Sequence, residues 1–286
     1  MSDLLAIDVA TDLRHLGAEH AQWSPIQRGG LDRLFGAEAF STVVSPEESI
    51  REMDEGGVEK AFVMAMTRRP ARERGGVSYE QVAELVARYP NRLVGRLRLD
   101  PRSGAMGYWD IAEELRDMER AVKEFGFRSM FFTPGEVRRP PNDKVYYPFY
   151  AKCVELDLVV SIHIGHDGAL RPSEMSRPIH LDEVALDFPD LKLIGFHIGW
   201  PWTDEMVALA VKFPNVYIDL TAHAPKHYPP EIVKYMRSRG QDKVLWGAFH
   251  PAIPWKRARE EFDQLNLKES VRRKILRDNA QKLFKF

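Results

Sequence analysis

The chain of 286 residues is poor in cysteine, has no long apolar run and carries almost no net charge. Cys153 is its one cysteine, so no disulfide can form within the chain, and a reducing, cytoplasmic setting is the expectation. Cys153 falls in residues 148–157, which read as an amphipathic helix; the expected role is a small buried hydrophobe, not a nucleophile. No apolar run approaches the ~18 residues a membrane-spanning helix needs. The run at residues 4–9 is too short, and lacks the basic flank, for a signal peptide. With 41 basic and 42 acidic residues the formal charge is −1, which gives no field to steer nucleic acid or an anionic membrane. Nor does a glycine-rich phosphate fingerprint follow the first apolar run, which argues against a nucleotide-binding open sheet.

What is present is the raw material of a large core. Apolar residues make up 44% of the chain and charged residues 29%, ordinary values for a globular protein. Short apolar runs alternate with longer amphipathic ones from end to end. Strands are predicted over residues 4–10, 60–66, 92–99, 128–132, 158–163, 191–197, 216–220 and 243–247. Most are continuous Val/Ile/Leu/Phe runs, as parallel strands buried on both faces require. Helices are predicted between them over 46–55, 78–89, 110–125, 148–157, 180–188, 203–213, 230–239 and 254–265, with a last one over 269–283. Such alternation predicts a parallel α/β fold, and a count of eight favours closure into a (β/α)8 TIM barrel. No composition shift marks a boundary, so residues 1–286 are read as one domain. Insertions near 13–44 and 133–147 follow strands and are expected to shape the pocket.

In a parallel barrel, chemistry gathers where strands end. Five of the nine histidines fall there: His163 and His166 after strand 5, His197 after strand 6, His223 after strand 7 and His250 after strand 8. A single loop histidine is usually a hydrogen-bonded structural residue, but closure brings all the strand ends to one mouth. Asp12 and Arg14, just past strand 1, join the candidates, as do the aromatics Trp200 and Phe249. A carboxylate beside an imidazole fixes its tautomer and raises its proton affinity, whereas a second imidazole lowers it.

Ile7-Asp8, the stretch Met53-Asp54-Glu55-Gly56-Gly57-Val58 and the turn Tyr89-Pro90-Asn91-Arg92 carry a resemblance. So do Phe188-Pro189-Asp190-Leu191, Phe213-Pro214-Asn215-Val216, Asp242-Lys243-Val244-Leu245-Trp246-Gly247 and Asp278-Asn279-Ala280. In this order and spacing the chain resembles the amidohydrolase-related TIM-barrel family of the aminocarboxymuconate-semialdehyde decarboxylase type. The resemblance implies one divalent metal, often zinc. Its ligands would be a His-x-His pair on strand 1, histidines after strands 5 and 6, and an aspartate after strand 8. His163 and His197 match, but Ala10 and Asp12 stand at the pair and Phe249 stands at the aspartate. The chain is thus read as a naturally divergent member that lacks most metal ligands.

Three readings follow. The first is a hydrolase of a small carbonyl or carboxylic-acid substrate without the usual metal, and it needs no cofactor. There His163, His197, His250, His223 and Asp12 form an acid/base cluster that activates water. The second is a decarboxylase with a rebuilt site for zinc or another divalent metal, its donors His163, His197 and Asp12. The third is a non-catalytic ligand-binding barrel. In each, Trp200, Phe249, His166 and Arg14 would line the pocket, and the partner is a small molecule. By resemblance alone a homodimer is expected.

Overall fold

The computed structural model describes residues 4–11, 25–40, 44–65, 77–99 and 110–286. Eight strands form one sheet in sequence order: β1 (Ala6–Asp8), β2 (Val58–Ala65), β3 (Leu93–Arg98), β4 (Ser129–Phe132), β5 (Val159–His163), β6 (Lys192–Phe196), β7 (Val216–Asp219) and β8 (Val244–Leu245). Every neighbouring pair from β1–β2 to β7–β8 is parallel. Each strand therefore needs a helical return, and the apolar runs that read as strands are buried on both sides. The last strand meets the first where the Val9 N–H donates to the Trp246 carbonyl at 3.1 Å. The (β/α)8 barrel anticipated from the sequence is the architecture observed.

The helices are α1 (Pro25–Phe35), α2 (Pro46–Glu55), α3 (Tyr79–Arg88), α4 (Ile111–Lys123), the single turn α5 (Pro134–Val137), α6 (Tyr147–Glu155), α7 (Leu181–Asp187), α8 (Thr203–Lys212), α9 (Pro230–Met236), α10 (Trp255–Asp263), α11 (Glu269–Arg273) and α12 (Asn279–Phe284). Their starts follow local chemistry. Ser45 Oγ accepts the Glu48 N–H ahead of α2, with Pro46 at the first helical position. Ser78 and Gln81 form a reciprocal capping box on α3. Among the described residues no helix is long and apolar enough to cross a membrane.

Two cores result. Between sheet and helices lies a large apolar layer that includes Met118, Phe132, Tyr150, Leu193, Ile218, Trp246 and Phe262. Inside the barrel, Ile7, Val9, Phe62, Val94, Phe131, Val159, Ile194, Phe196 and Leu245 pack together, with Leu283 and Phe284 of α12 joining them. Arg96 of β3 is the exception in that interior. Its guanidinium lies between the Phe62 and Phe196 rings, 4.8 and 4.9 Å from their centroids. It donates to the Val9 carbonyl and to Ser129 Oγ.

Two expectations are corrected in detail. The helix predicted over 269–283 is broken by a π-helical turn, Lys274–Asp278. The Trp246 N–H donates to the Ile275 carbonyl there, so the wider turn satisfies a strand group that the ladder leaves unpaired. Strand 8 is shorter than predicted. Beyond Leu245 the Ala248 N–H donates to the Asp8 carboxylate instead of a neighbouring strand, and the ladder ends.

Candidate active site

The sheet register builds the site. His163 ends β5 and pairs with Phe196 of β6, so His197, one residue on, stands beside it. The two rings meet edge to face with centroids 4.7 Å apart. Asp219 ends β7, and its Oδ1 accepts the His197 N–H at 3.0 Å. The same oxygen accepts the Thr221 N–H at 3.0 Å and the Thr221 hydroxyl. His197 Nδ1 lies 3.1 Å from Thr221 Oγ1 and 3.3 Å from the Thr221 carbonyl oxygen. His163 Nε2 donates to the His166 carbonyl at 3.3 Å. Phe249 packs against His197 with centroids 5.8 Å apart and against Phe35 of α1 at 5.5 Å.

The chain turns sharply as it leaves the strands here. His197, Ile198, Ala222 and Phe249 all have positive φ, from 62° to 71°. Such conformations are costly for residues with side chains, and most of all for β-branched isoleucine. Their grouping at the ends of β6, β7 and β8 marks a mouth held in a strained shape by its surroundings. Gly247 belongs to the same fit. A Cβ there would lie 2.3 Å from the Thr221 methyl and 3.0 Å from Asp8 Oδ1.

Burial controls the charges. It pushes His163 below the ordinary imidazole value, although Asp167 and the His166 carbonyl oppose it. His197 is held well below that value by burial, with His163 and His223 adding repulsion. His223 is pushed by burial to about 4. All three are neutral imidazoles at neutral pH. The Asp219 carboxyl, fully enclosed, is raised by burial to about 7, although its hydrogen bonds and the Arg96 cation pull the other way. Arg96 in turn is lowered to about 10 by burial, with Asp219 and Asp8 opposing.

Of the predicted acid/base residues, the structure thus brings His163, His197 and His223 together. His250 does not join them, and that expectation is corrected. Because the chain turns at Phe249 directly after the short β8, His250 lands between α2 and α10. It stacks face to face on Trp255 at 3.7 Å, and its Nε2 lies 3.0 Å from Glu52 Oε2. Asp12 and Arg14 lie outside the described residues. His166 and Trp200 form an exposed rim, with rings 5.6 Å apart and the His166 N–H donating to the Trp200 carbonyl at 2.6 Å.

Sequence reading missed a second layer beside His163. Arg98 ends β3 and pairs with Glu136 of α5. Glu136 also takes Arg171 at 2.6 Å, and Arg171 reaches Asp167 at 3.3 Å. Applying the strand-end rule to β3 and β4, where no histidine draws attention, would have found Arg98 and Glu136. Arg138, just beyond α5, is exposed, and Arg139 pairs with Asp143.

The donor set can be tested against a divalent cation. His163 and His197 supply two imidazoles, while the buried Ala10 and the apolar Phe249 supply nothing. Among the described residues no group of three or more His, Cys, Asp or Glu side chains is placed to hold a metal. The described residues by themselves do not make up the ligand set that the resemblance implies; Asp12, the third donor of the rebuilt site, lies outside them.

A family model described as Amidohydrolase matches residues 20–286. A 2-keto-4-carboxy-3-hexenedioate hydratase from a Sphingobium species is 29% identical over 136 residues, 41% of this chain and 38% of the hydratase. The match thus spans less than two-fifths of that relative. An uncharacterized TIM-barrel protein from Bordetella bronchiseptica superposes with a TM-score of 0.80 at 25% identity, covering 99% of both chains. A 5-carboxyvanillate decarboxylase from Novosphingobium aromaticivorans was solved with manganese and 4-hydroxy-3-methoxy-5-nitrobenzoic acid. It superposes with a TM-score of 0.74 at 18% identity over 100% of both chains, a likeness of fold.

Proposed function

The chain belongs to the amidohydrolase family, and we propose that within it this protein is a lyase, a decarboxylase of a small hydroxylated aromatic or unsaturated carboxylic acid. The observation that carries the reading is the edge-to-face pair of half-buried, neutral imidazoles at the barrel mouth, His163 and His197. A neutral imidazole can take a proton from a substrate hydroxyl and return it to carbon. In decarboxylation the electron pair released by the hydroxyl moves into the ring. The imidazolium protonates the carbon that bears the carboxylate, the C–C bond breaks, and CO2 leaves. The electron pair of the broken bond returns to the oxygen, which takes a proton from solvent, so the net change replaces carboxylate by hydrogen. His223, held neutral beside the pair, keeps the pocket free of a competing cation.

Hydrolysis, the first expectation from the residues, draws less support from the comparisons than this lyase alternative. A second lyase reading, hydration, is favoured by the sequence likeness to the hydratase. It uses the same proton carrier: an imidazole deprotonates water, the hydroxide adds to a conjugated C=C bond, and the imidazolium protonates the neighbouring carbon.

The test is a panel of hydroxylated benzoates, unsaturated 2-keto dicarboxylates, esters and lactones, presented to the purified protein. CO2 release and loss of conjugated absorbance are followed. CO2 release that falls at least ~100-fold in His197→Asn, the usual scale of general acid–base catalysis, supports the proposal. Water addition without CO2 release moves the assignment to hydratase. Cleavage of esters or lactones alone overturns both in favour of a hydrolase. Tight binding without turnover of any class points to a non-catalytic barrel.

A further inference from the structure

Hydrogen bonds around Asp219 run in one direction only. Its Oδ1 already accepts two backbone N–H groups, from His197 and Thr221, each at 3.0 Å. The Thr221 hydroxyl points at the same oxygen, and an oxygen facing two N–H donors is an acceptor. The single hydroxyl proton of Thr221 is therefore committed to Asp219, whether or not the other carboxyl oxygen carries a proton. That leaves Thr221 Oγ1 only lone pairs to offer on its far side. His197 Nδ1 sits there at 3.1 Å, and its other near neighbour is the Thr221 carbonyl at 3.3 Å, which can only accept. Both atoms around Nδ1 are acceptors.

We propose that Thr221 is the positioning residue of His197: its hydroxyl, spent on Asp219, fixes the ring as the Nδ1–H tautomer and leaves Nε2 bare as the proton-accepting atom. Thr221 and Asp219 are both fully buried, so water offers no alternative partner. Gly247 keeps this placement possible, since any side chain there would displace the Thr221 methyl. The logic is that of a base whose far nitrogen is held by an oriented acceptor, with a hydroxyl standing between carboxyl and imidazole. His163 has the opposite arrangement, since its Nε2–H is given to the His166 carbonyl. The two neighbouring rings therefore present different nitrogens with free lone pairs. The inference deepens the proposed lyase reading by naming the atom that moves the proton. It fails separately from that reading, because a tautomer is measured without turnover.

The experiment is 15N NMR on the full chain with labelled histidine, near neutral pH, with His197→Gln used to assign the resonance. Wild type is expected to show one His197 form, protonated at Nδ1 and bare at Nε2. Thr221→Ser keeps the hydroxyl and should preserve that pattern. Thr221→Val keeps the shape and removes the hydroxyl. Its Nε2–H population should rise by roughly two- to tenfold, the ratio that one neutral hydrogen bond carries, and kcat should fall with little change in KM. A wild-type His197 protonated at Nε2 overturns the proposal, with no variant required. So does a folded Thr221→Val protein whose His197 pattern is unchanged.

Discussion

Arg171→Met should destabilise the protein far more than a surface arginine would, and the coupling to Asp167 should show why. The Arg171 side chain is 13% exposed, Asp167 2% and Glu136 10%. Removing the guanidinium leaves the Asp167 carboxylate, among the described residues, with the Ala169 N–H at 3.0 Å as its hydrogen-bond donor. Breaking a buried pair from one side costs roughly 3–5 kcal/mol. Glu136 keeps Arg98, and Arg171 is not wholly enclosed, so the lower end, about 3 kcal/mol, is expected. In a urea titration with a slope near ~3 kcal/mol/M this lowers the midpoint by about 1 M. Asp167→Asn removes the charge at the other end and should cost less, because Arg171 retains Glu136. The double variant should then cost less than the sum of the two singles by more than ~1 kcal/mol, since the second change relieves the stranded charge left by the first. Additive single effects, within about 0.5 kcal/mol, would mean that the pair is solvated and the reasoning wrong.

Three further outcomes follow from the same geometry. Burial favours the neutral form of both His163 and His197, with repulsion from His163 and His223 added at His197, and an acceptor works only while unprotonated. The acidic limb of kcat/KM should therefore fall below the ordinary imidazole value of ~6.5, and half-maximal activity at or above that pH refutes the assignment. The Cys153 thiol is fully buried and pushed upward by burial. A thiol reagent at about pH 9, where an exposed cysteine is mostly thiolate, should label it only after denaturation; labelling of the native protein contradicts the packing. Gly165 has φ +99°, and a Cβ there would lie 2.4 Å from the Trp200 carbonyl oxygen. Gly165→Ala should cost more than the ~1 kcal/mol typical of positive φ alone and should disturb His163 two residues away, so a Tm within a degree of wild type would refute this close approach.

How far the sequence disclosed this site depends on which signal carried each part. The eight strands were legible because parallel strands buried on both faces leave continuous apolar runs, and all eight are found within about two residues of the expected ends at each terminus. The convergence of His163, His197 and His223 was legible because closure maps strand ends onto one mouth. His250 misled because the same rule treats every strand end alike. Whether a side chain turns inward depends on the backbone just past the strand, and here His250 packs on Trp255 and against Glu52 instead. Thr221 and Asp219 lay in plain view after β7, yet no sequence pattern says that a hydroxyl will face an imidazole on the neighbouring strand. The Arg98–Glu136–Arg171–Asp167 chain draws on β3, α5 and the segment after β5, and only the folded barrel brings them together.

The replaced ligand positions acquire a physical meaning once the pair is considered as a unit. Two imidazolium charges on rings 4.7 Å apart would repel, so a proton on one ring disfavours a proton on the other. The pair therefore holds one proton at most over the neutral range. A carboxylate against His197 would weaken that limit by favouring the charged form; here the position holds Phe249, whose ring also keeps water off one edge of the imidazole. Ala10, buried at the end of β1, adds no charge on the opposite side. What the mouth loses in cation-binding groups it gains as a device that accepts a single proton and has reason to give it back. Such a device suits a reaction that removes one proton from oxygen and delivers one to carbon, with no second charge left in the pocket between turnovers.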